Sequence, residues 1–226
     1  EYLDYVAATG ALSVLSRKKA SLQIPLLFDP GSRWNYGINI DWAGFMLEEV
    51  TGLTLGDYMQ ANIFEPLGMT STAFKVSAEM ATRQARLHMR GEDGSLSLPE
   101  TTAASAEPDF DAGGGGLSST VQDYARFTQM ILNKGAHEGR QILAPETVAM
   151  MSANQMGDTR VQKMKTFMPP LSNDAEFFPG VEKAWGLSFM INLTQAPTGR
   201  SPGSLSWAGL GNSYFWIDPA RDIAGI

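Results

Sequence analysis

DPGSRWNYGIN, residues 29–39, places Tyr36 directly ahead of a segment with the pattern of a helix. Apolar residues recur on one face of that segment at helical spacing, namely Ile40, Ala43, Leu47 and Val50. Gly52 then stands where a left-handed C-terminal cap belongs. The stretch therefore predicts a helix after Tyr36 that buries one face and ends at Gly52.

The composition is that of a globular protein. The chain has 226 residues, 43% of them hydrophobic and 18% charged, which is enough to bury a sizeable core. Its formal net charge of -7 argues against a nucleic-acid partner, and its basic cluster Arg17-Lys18-Lys19 is interpreted as a solvated helix face. The sequence contains no apolar stretch long enough to predict a membrane span, and it leaves the oligomeric state open.

Metal sites and disulfides are not predicted. The chain has no cysteine, and its two histidines, His88 and His137, lie far apart without ligand spacing. No metal or organic cofactor is expected. The absence of cysteine does not fix the compartment; a cytoplasmic location is the favoured expectation.

Helices dominate the first two thirds of the chain. Thr54 and Asp57 have capping-box spacing ahead of a helix expected to end near Ile63. Ser119 and Gln122 have the same spacing, and Pro145 stands at the first position of a further helix. The run Gly113 to Gly116 lacks a following Gly-Lys-Ser/Thr, so we interpret it as backbone in close approach to a neighbour rather than as a phosphate site.

Strands are predicted near the C-terminal end. Leu187, Phe189, Ile191 and Leu193 alternate with more polar residues, as in a strand with one buried face. Residues 213–217 form a second strand pattern and another starts at Ile223, close to the last residue. We therefore expect a piece of a longer polypeptide, with a mostly helical region over residues 1–155 and a strand-rich region over 156–226.

Four segments in order carry a family resemblance. They are PLLFDPG (25–31), WNYG (34–37), IFEPLGM (63–69), and GGGGLSS (113–119) with DYARF (123–127). Together they resemble the β-lactamase-related serine hydrolases, and most closely the family VIII carboxylesterases and related acyltransferases. The resemblance implies an α/β fold of the α+β type, like that of serine β-lactamases and penicillin-binding proteins, with the active site between a helical region and an antiparallel sheet.

The resemblance implies roles for a tyrosine motif. Tyr36 matches the general base, which takes the proton of a nucleophilic serine and later protonates the leaving alcohol. A phenol has an ordinary pKa near 10, so it serves as a base at neutral pH only beside positive charge or suitable hydrogen bonds. Ile38 stands where the family's motif has a substrate-binding asparagine, a departure that favours simple esters. The alternative interpretation of Tyr36 is an ordinary core or surface tyrosine.

A second motif lies on the predicted sheet. Trp207-Ala208-Gly209 matches the Trp-x-Gly that these esterases carry in place of a lactamase Lys-Thr-Gly. By the same correspondence the backbone N–H of Leu210 donates to the oxyanion. Losing the lysine removes a cation for a substrate carboxylate, which again favours esters. Alternatively, Trp207 is ordinary strand packing, and Gly209 and Gly211 are bulge residues.

The nucleophile is not evident in the chain. Ser16 and Lys19 form a literal Ser-x-x-Lys, but they lie among charged residues and too close to residues 25–31 for the family's pattern. We therefore expect the nucleophile upstream of Glu1. The predicted function is a serine esterase acting on small carboxylic esters through an acyl-enzyme. Two alternatives stay open: a β-lactamase or D-Ala-D-Ala carboxypeptidase, and a non-catalytic acyl-ligand or peptidoglycan-binding relative.

Overall fold

A computed structural model describes residues 2–91, 93–98, 108–166 and 172–226. The chain divides into two compact units, each assembled from three separate segments. Unit 1 takes in Glu1–Leu27, Gly37–Tyr58 and Ala73–Ser118, and unit 2 takes in Phe28–Tyr36, Met59–Thr72 and Ser119–Ile226. The predicted regions 1–155 and 156–226 describe helix and strand content along the chain, and that division stays a prediction.

The secondary structure follows the predicted order of helices first and strands last. The helices are α1 (Tyr2–Thr9), α2 (Asn39–Thr51), α3 (Leu55–Met59), α4 (Glu65–Leu67), α5 (Ala78–Thr82), α6 (Val121–Leu132) and α7 (Pro145–Met151). Short 3-10 turns cover Val14–Ser16 and Lys19–Leu22, and a π-helical turn, Gln60–Phe64, joins α3 to α4. The strands are β1 (Met89–Arg90), β2 (Leu96–Ser97), β3 (Ala136–His137), β4 (Arg140–Gln141), β5 (Lys183–Trp185), β6 (Met190–Asn192), β7 (Leu205–Gly209), β8 (Ser213–Asp218) and β9 (Ile223–Gly225).

Helix α2 of unit 1 ends as predicted, but its predicted buried face is wrong. Gly52 adopts the left-handed conformation with φ 72° and donates its N–H to the carbonyl of Glu48. Val50, however, is 81% exposed and Ile40 is 41% exposed. Gly44 is the residue of this helix that is buried, and it faces Leu55 of α3. Periodicity identified the helix, whereas the packing partner decided which face is covered.

The glycine run of unit 1 makes the close approach predicted for it. A Cβ atom on Gly113 would lie 2.5 Å from the carbonyl oxygen of Ile40, at the start of α2. The N–H of Gly114 donates to Oδ1 of Asp41 over 3.0 Å. Glycine is therefore required at residue 113 by backbone contact with α2.

Helix boundaries elsewhere follow local capping, with two differences. The N–H of Asp57 donates to Oγ1 of Thr54, as predicted, but the helical path continues through the π turn and α4 to Gly68, beyond the predicted end at Ile63. Helix α6 is capped by Thr120, which accepts from the N–H of Asp123, and not by Ser119. The helix at Pro145 begins as predicted.

Unit 2 contains an antiparallel sheet of five strands in the order β5-β6-β7-β8-β9. Helix α6 packs against it through Tyr124, whose ring lies 5.1 Å from that of Phe215 on β8. Leu205 and Ile217 are cross-strand partners and fully buried. The predicted strand over 187–193 is shorter than expected, and both Met190 and Ile191 are buried, so it does not have one exposed face.

Candidate active site

Tyr36 and Trp207, the central residues of the two predicted motifs, lie against each other within unit 2. Their ring centroids are 5.1 Å apart and the rings are inclined at 51°. Trp207 is held in the middle of β7 by pairing with Phe215 of β8. Tyr36 is 52% exposed, so its phenol remains accessible. The fold therefore brings together an accessible tyrosine and a strand residue that are widely separated in the chain.

A cluster of aromatic rings surrounds this pair. Trp185 at the end of β5 packs edge-on against Trp207, with centroids 4.5 Å apart and planes at 81°. It also contacts Trp34, at 5.7 Å. Phe177 approaches Trp207 from a loop, at 5.9 Å. We call Trp34, Tyr36, Phe177, Trp185 and Trp207 the aromatic cluster; such tilted and edge-on contacts are the favoured geometries of ring pairs.

The segment that carries Trp34 and Tyr36 begins with a tight turn. Ser32 donates its N–H and its hydroxyl to the carbonyl of Asp29, at 3.1 and 2.7 Å. The guanidinium of Arg33 stacks over the ring of Phe28 at 4.1 Å. The side-chain amide of Asn35 donates to the carbonyl of Tyr36 at 3.1 Å. These contacts order the backbone leading to the tyrosine.

The other residues of the second motif lie where β7 turns into β8. Ala208 pairs with Tyr214, and Gly209, the last residue of β7, pairs with Ser213. Leu210 follows in the turn with its side chain 68% exposed. Among the described residues, its backbone N–H has no hydrogen-bond acceptor. Leu210 therefore has the free donor that an oxyanion-hole role requires, and that role stays a prediction.

Ile38 and Ser16 belong to unit 1. Ile38 is half-buried at the position that precedes α2 and makes no side-chain capping bond. The hydroxyl of Ser16 accepts the N–H of Lys18 at 3.3 Å, and the ammonium of Lys19 lies 5.2 Å from the ring centre of Phe45. Ser16 thus stands in a 3-10 turn and Lys19 is engaged with an aromatic face, an arrangement unlike a serine and lysine one helical turn apart.

Lys183 precedes Trp185 of the aromatic cluster by two residues. It is 6% exposed, and burial lowers the pKa of this amine, an effect opposed by the charge of Glu176. Over the described ranges, no three His, Asp or Glu side chains come close enough to hold a metal ion. None of the helices described is long and apolar enough to cross a membrane.

Three members of the aromatic cluster were not predicted from the sequence as functional candidates. Trp34 had a usable signal, because residues two apart on an extended segment point to the same side, and Trp34 therefore shares the side of Tyr36. Phe177 and Trp185 had none, since their neighbours in the chain do not predict a contact with Trp207.

Comparison with known proteins identifies the family. The β-lactamase family model matches residues 7–226. The chain belongs to the β-lactamase family. Among its relatives, the ML-236A carboxylate methylbutanoyltransferase of Penicillium citrinum is 30% identical over 235 aligned residues, covering 100% of this chain and 54% of the relative. The lovastatin esterase of Penicillium rubens is 27% identical and covers 89% of this chain and 51% of the relative.

Solved structures agree with the family assignment. Unliganded simvastatin synthase from Aspergillus terreus superposes with a TM-score of 0.75 at 26% identity, covering 97% of this chain and 54% of that one. The fold is that of the β-lactamase and penicillin-binding-protein group, as the sequence predicted. The chain spans about half the length of the relatives that it matches.

Proposed function

We propose that this chain forms the general-base side of a serine acyl-transfer site that acts on small carboxylic esters. The observation that carries the proposal is the packing of Tyr36 on Trp207, with ring centroids 5.1 Å apart. This contact brings together Tyr36, which matches the family's general base, and Trp207, which matches the first residue of its Trp-x-Gly motif. The names of the relatives, a methylbutanoyltransferase and an esterase, support acyl chemistry.

The proposed reaction has two steps. A serine carried by polypeptide outside residues 1–226 attacks the ester carbonyl, and its proton passes to Tyr36. The tetrahedral oxyanion is stabilised by the N–H of Leu210 and by the N–H of the serine itself. When the intermediate collapses, the bond to the alcohol breaks and Tyr36 returns the proton to that alcohol, leaving an acyl-serine. Water or a second alcohol then attacks the acyl group and gives its proton to Tyr36, the bond between the acyl carbon and the serine oxygen breaks, and Tyr36 returns the proton to the serine.

Substrate class follows from two positions. Ile38 has no side-chain amide for an acylamide substrate, and Trp207 stands where lactamases have a lysine for the substrate carboxylate. Both departures favour uncharged esters over β-lactams or D-Ala-D-Ala peptides. Acyl transfer to an alcohol is a second candidate outcome of the same acyl-enzyme, and the methylbutanoyltransferase relative favours it.

The test measures p-nitrophenyl butyrate hydrolysis by the complete polypeptide and its Tyr36→Phe variant. Because general-base catalysis contributes about 10²–10⁴-fold, we expect kcat/KM to fall by that factor. Tyr124→Phe is the matched control, since it also removes one phenol hydroxyl from unit 2 but outside the aromatic cluster. Equal activity of Tyr36→Phe and wild type contradicts the proposal. Nitrocefin turnover without ester turnover supports a β-lactamase instead, and binding without turnover supports the non-catalytic relative.

A further inference from the structure

The loop before β5 supplies one wall of the aromatic cluster. It runs over residues 176–181 and carries Phe177, half-buried, whose ring centre is 5.9 Å from that of Trp207. Trp207 therefore contacts both the proposed base, Tyr36, at 5.1 Å, and the loop. Phe177 and Tyr36 are thus linked through the ring of Trp207, which contacts both.

A buried lysine holds the backbone of this loop from inside. The ammonium of Lys183 donates to the carbonyl of Val181 at 2.6 Å and to that of Phe178 at 3.2 Å. The N–H of Val181 donates to the carbonyl of Phe178 at 3.0 Å, which closes a turn. Phe178 has a φ of 52° and Gly180 a φ of 82°, so two residues of this turn adopt the left-handed conformation. Glycine adopts this conformation at no steric cost, whereas Phe178 maintains it only where the surroundings hold it.

The ring next to Phe177 is held as well. The guanidinium of Arg200 lies 4.4 Å from the ring centre of Phe178 and 5.6 Å from that of Trp216 on β8. Two contacts thus attach the loop to the sheet: the cation–π contact of Arg200 with Phe178, and the hydrogen bonds from the Lys183 ammonium to two loop carbonyls. An ammonium buried on two neutral carbonyls costs desolvation that an apolar side chain at the same place would not. The hydrogen bonds of the Lys183 ammonium fix the path of the backbone that carries Phe177.

We propose that Phe177 limits the size of the acyl group accepted beside Tyr36 and Trp207, and that Lys183 is the positioning residue that keeps Phe177 in place. This inference rests on the proposed ester chemistry and adds a selectivity to it. The ring of Phe177 occupies space that a longer acyl chain would otherwise fill. The wall is apolar, so the group it selects is an uncharged aliphatic acyl chain of limited length.

The test compares kcat/KM for p-nitrophenyl octanoate and p-nitrophenyl butyrate, measured on the complete polypeptide. Phe177→Ala is expected to raise the octanoate-to-butyrate ratio about tenfold or more, because excess methylene groups then gain space. Phe177→Tyr keeps the ring and is expected to keep the ratio. Lys183→Met is expected to raise the ratio by about threefold or more, because it removes both hydrogen bonds while conserving side-chain length.

Lys163→Met is the matched control for Lys183→Met. Its ammonium pairs with Asp174 at 3.2 Å just before the loop, and its side chain is 50% exposed, whereas Lys183 is buried. The same Lys-to-Met change there is expected to leave the ratio unchanged. The octanoate-to-butyrate ratio reports selectivity, because a general loss of folded protein lowers both rates equally and leaves the ratio unchanged. Phe177→Leu gives a milder truncation of the ring if Phe177→Ala is poorly soluble.

The outcomes separate the two proposals. If wild type hydrolyses butyrate and Tyr36→Phe does not, the ester chemistry holds; an unchanged ratio in Phe177→Ala and Phe177→Leu then overturns the role of Phe177. A raised ratio in Phe177→Ala with an unchanged ratio in Lys183→Met overturns the role of Lys183 alone. If wild type turns over neither ester, the ester chemistry and the size limit fall together.

Discussion

Asp123 links helix α6 to the segment that precedes residue 73, and its replacement is expected to destabilise unit 2. Its carboxylate is 3% exposed. One oxygen, Oδ2, accepts the N–H of Ser71 at 2.7 Å and the hydroxyl of Thr72 at 2.9 Å. The other, Oδ1, accepts from the guanidinium of Arg126 at 2.8 Å. Asp123 is the first residue of the DYARF segment that carries part of the family resemblance, and these hydrogen bonds give it a structural role.

The magnitude follows from the kind of donor. Hydrogen bonds to a charged acceptor contribute about 1.5–3 kcal/mol each, and Asp123 receives two from groups of the neighbouring segment. The pair with Arg126, whose side chain is 41% exposed, contributes about 0–1 kcal/mol. Removing the carboxylate also relieves its own desolvation. We therefore expect Asp123→Ala to lower the free energy of unfolding by about 3 kcal/mol, and Arg126→Ala by about 0.5 kcal/mol.

Equilibrium urea unfolding of the complete polypeptide measures both values. Asp123→Asn is an informative intermediate, because it keeps the side-chain volume and one acceptor oxygen but turns an amide donor toward either Arg126 or the donors of Ser71 and Thr72. We expect Asp123→Asn to lower the free energy of unfolding by about 1.5–2 kcal/mol. A loss of under about 1 kcal/mol for Asp123→Ala would refute the reasoning. Equal losses for Asp123→Ala and Arg126→Ala would also refute it, since the ion pair would then account for the whole effect.

Two further predictions concern stability. Burial raises the pKa of Tyr124 to about 12. Between pH 10 and 12 the unfolded state therefore loses the phenol proton first, and the free energy of unfolding falls as pH rises. Relative to Tyr124→Phe, the free energy of unfolding of wild type, measured by urea unfolding, should fall by about 1.3 kcal/mol between pH 9 and 11, and parallel pH curves for the two proteins would contradict this. Gly186→Ala should lower the free energy of unfolding by about 3 kcal/mol or more in the same assay, because the added Cβ would overlap the carbonyl oxygen of Met151. The control Gly115→Ala should change the free energy of unfolding by less than about 0.5 kcal/mol, because a Cβ there meets no atom within 4 Å.

Features that depend on a few neighbouring residues were predictable. The cap at Gly52, the helix start at Pro145 and the close approach at Gly113 all follow from local backbone requirements of glycine and proline. The covered face of α2 was not predictable, because Val50 and Ile40 satisfy helical periodicity and yet are 81% and 41% exposed. Strand β5 went unnoticed for a related reason: Lys183, Ala184 and Trp185 carry no alternation, and Lys183 is buried by hydrogen bonds rather than by apolarity.

The sequence by itself determined the family, the cap at Gly52, the helix start at Pro145 and the two motifs centred on Tyr36 and Trp207, since these rest on residue types at short spacing. Only the tertiary structure decided that Trp207 contacts Tyr36, Trp185 and Phe177 together. The physical reason is distance along the chain. A cap is satisfied within one turn of backbone, whereas a contact between residues 36 and 207 exists only once sheet pairing and loop closure have brought both segments to one place.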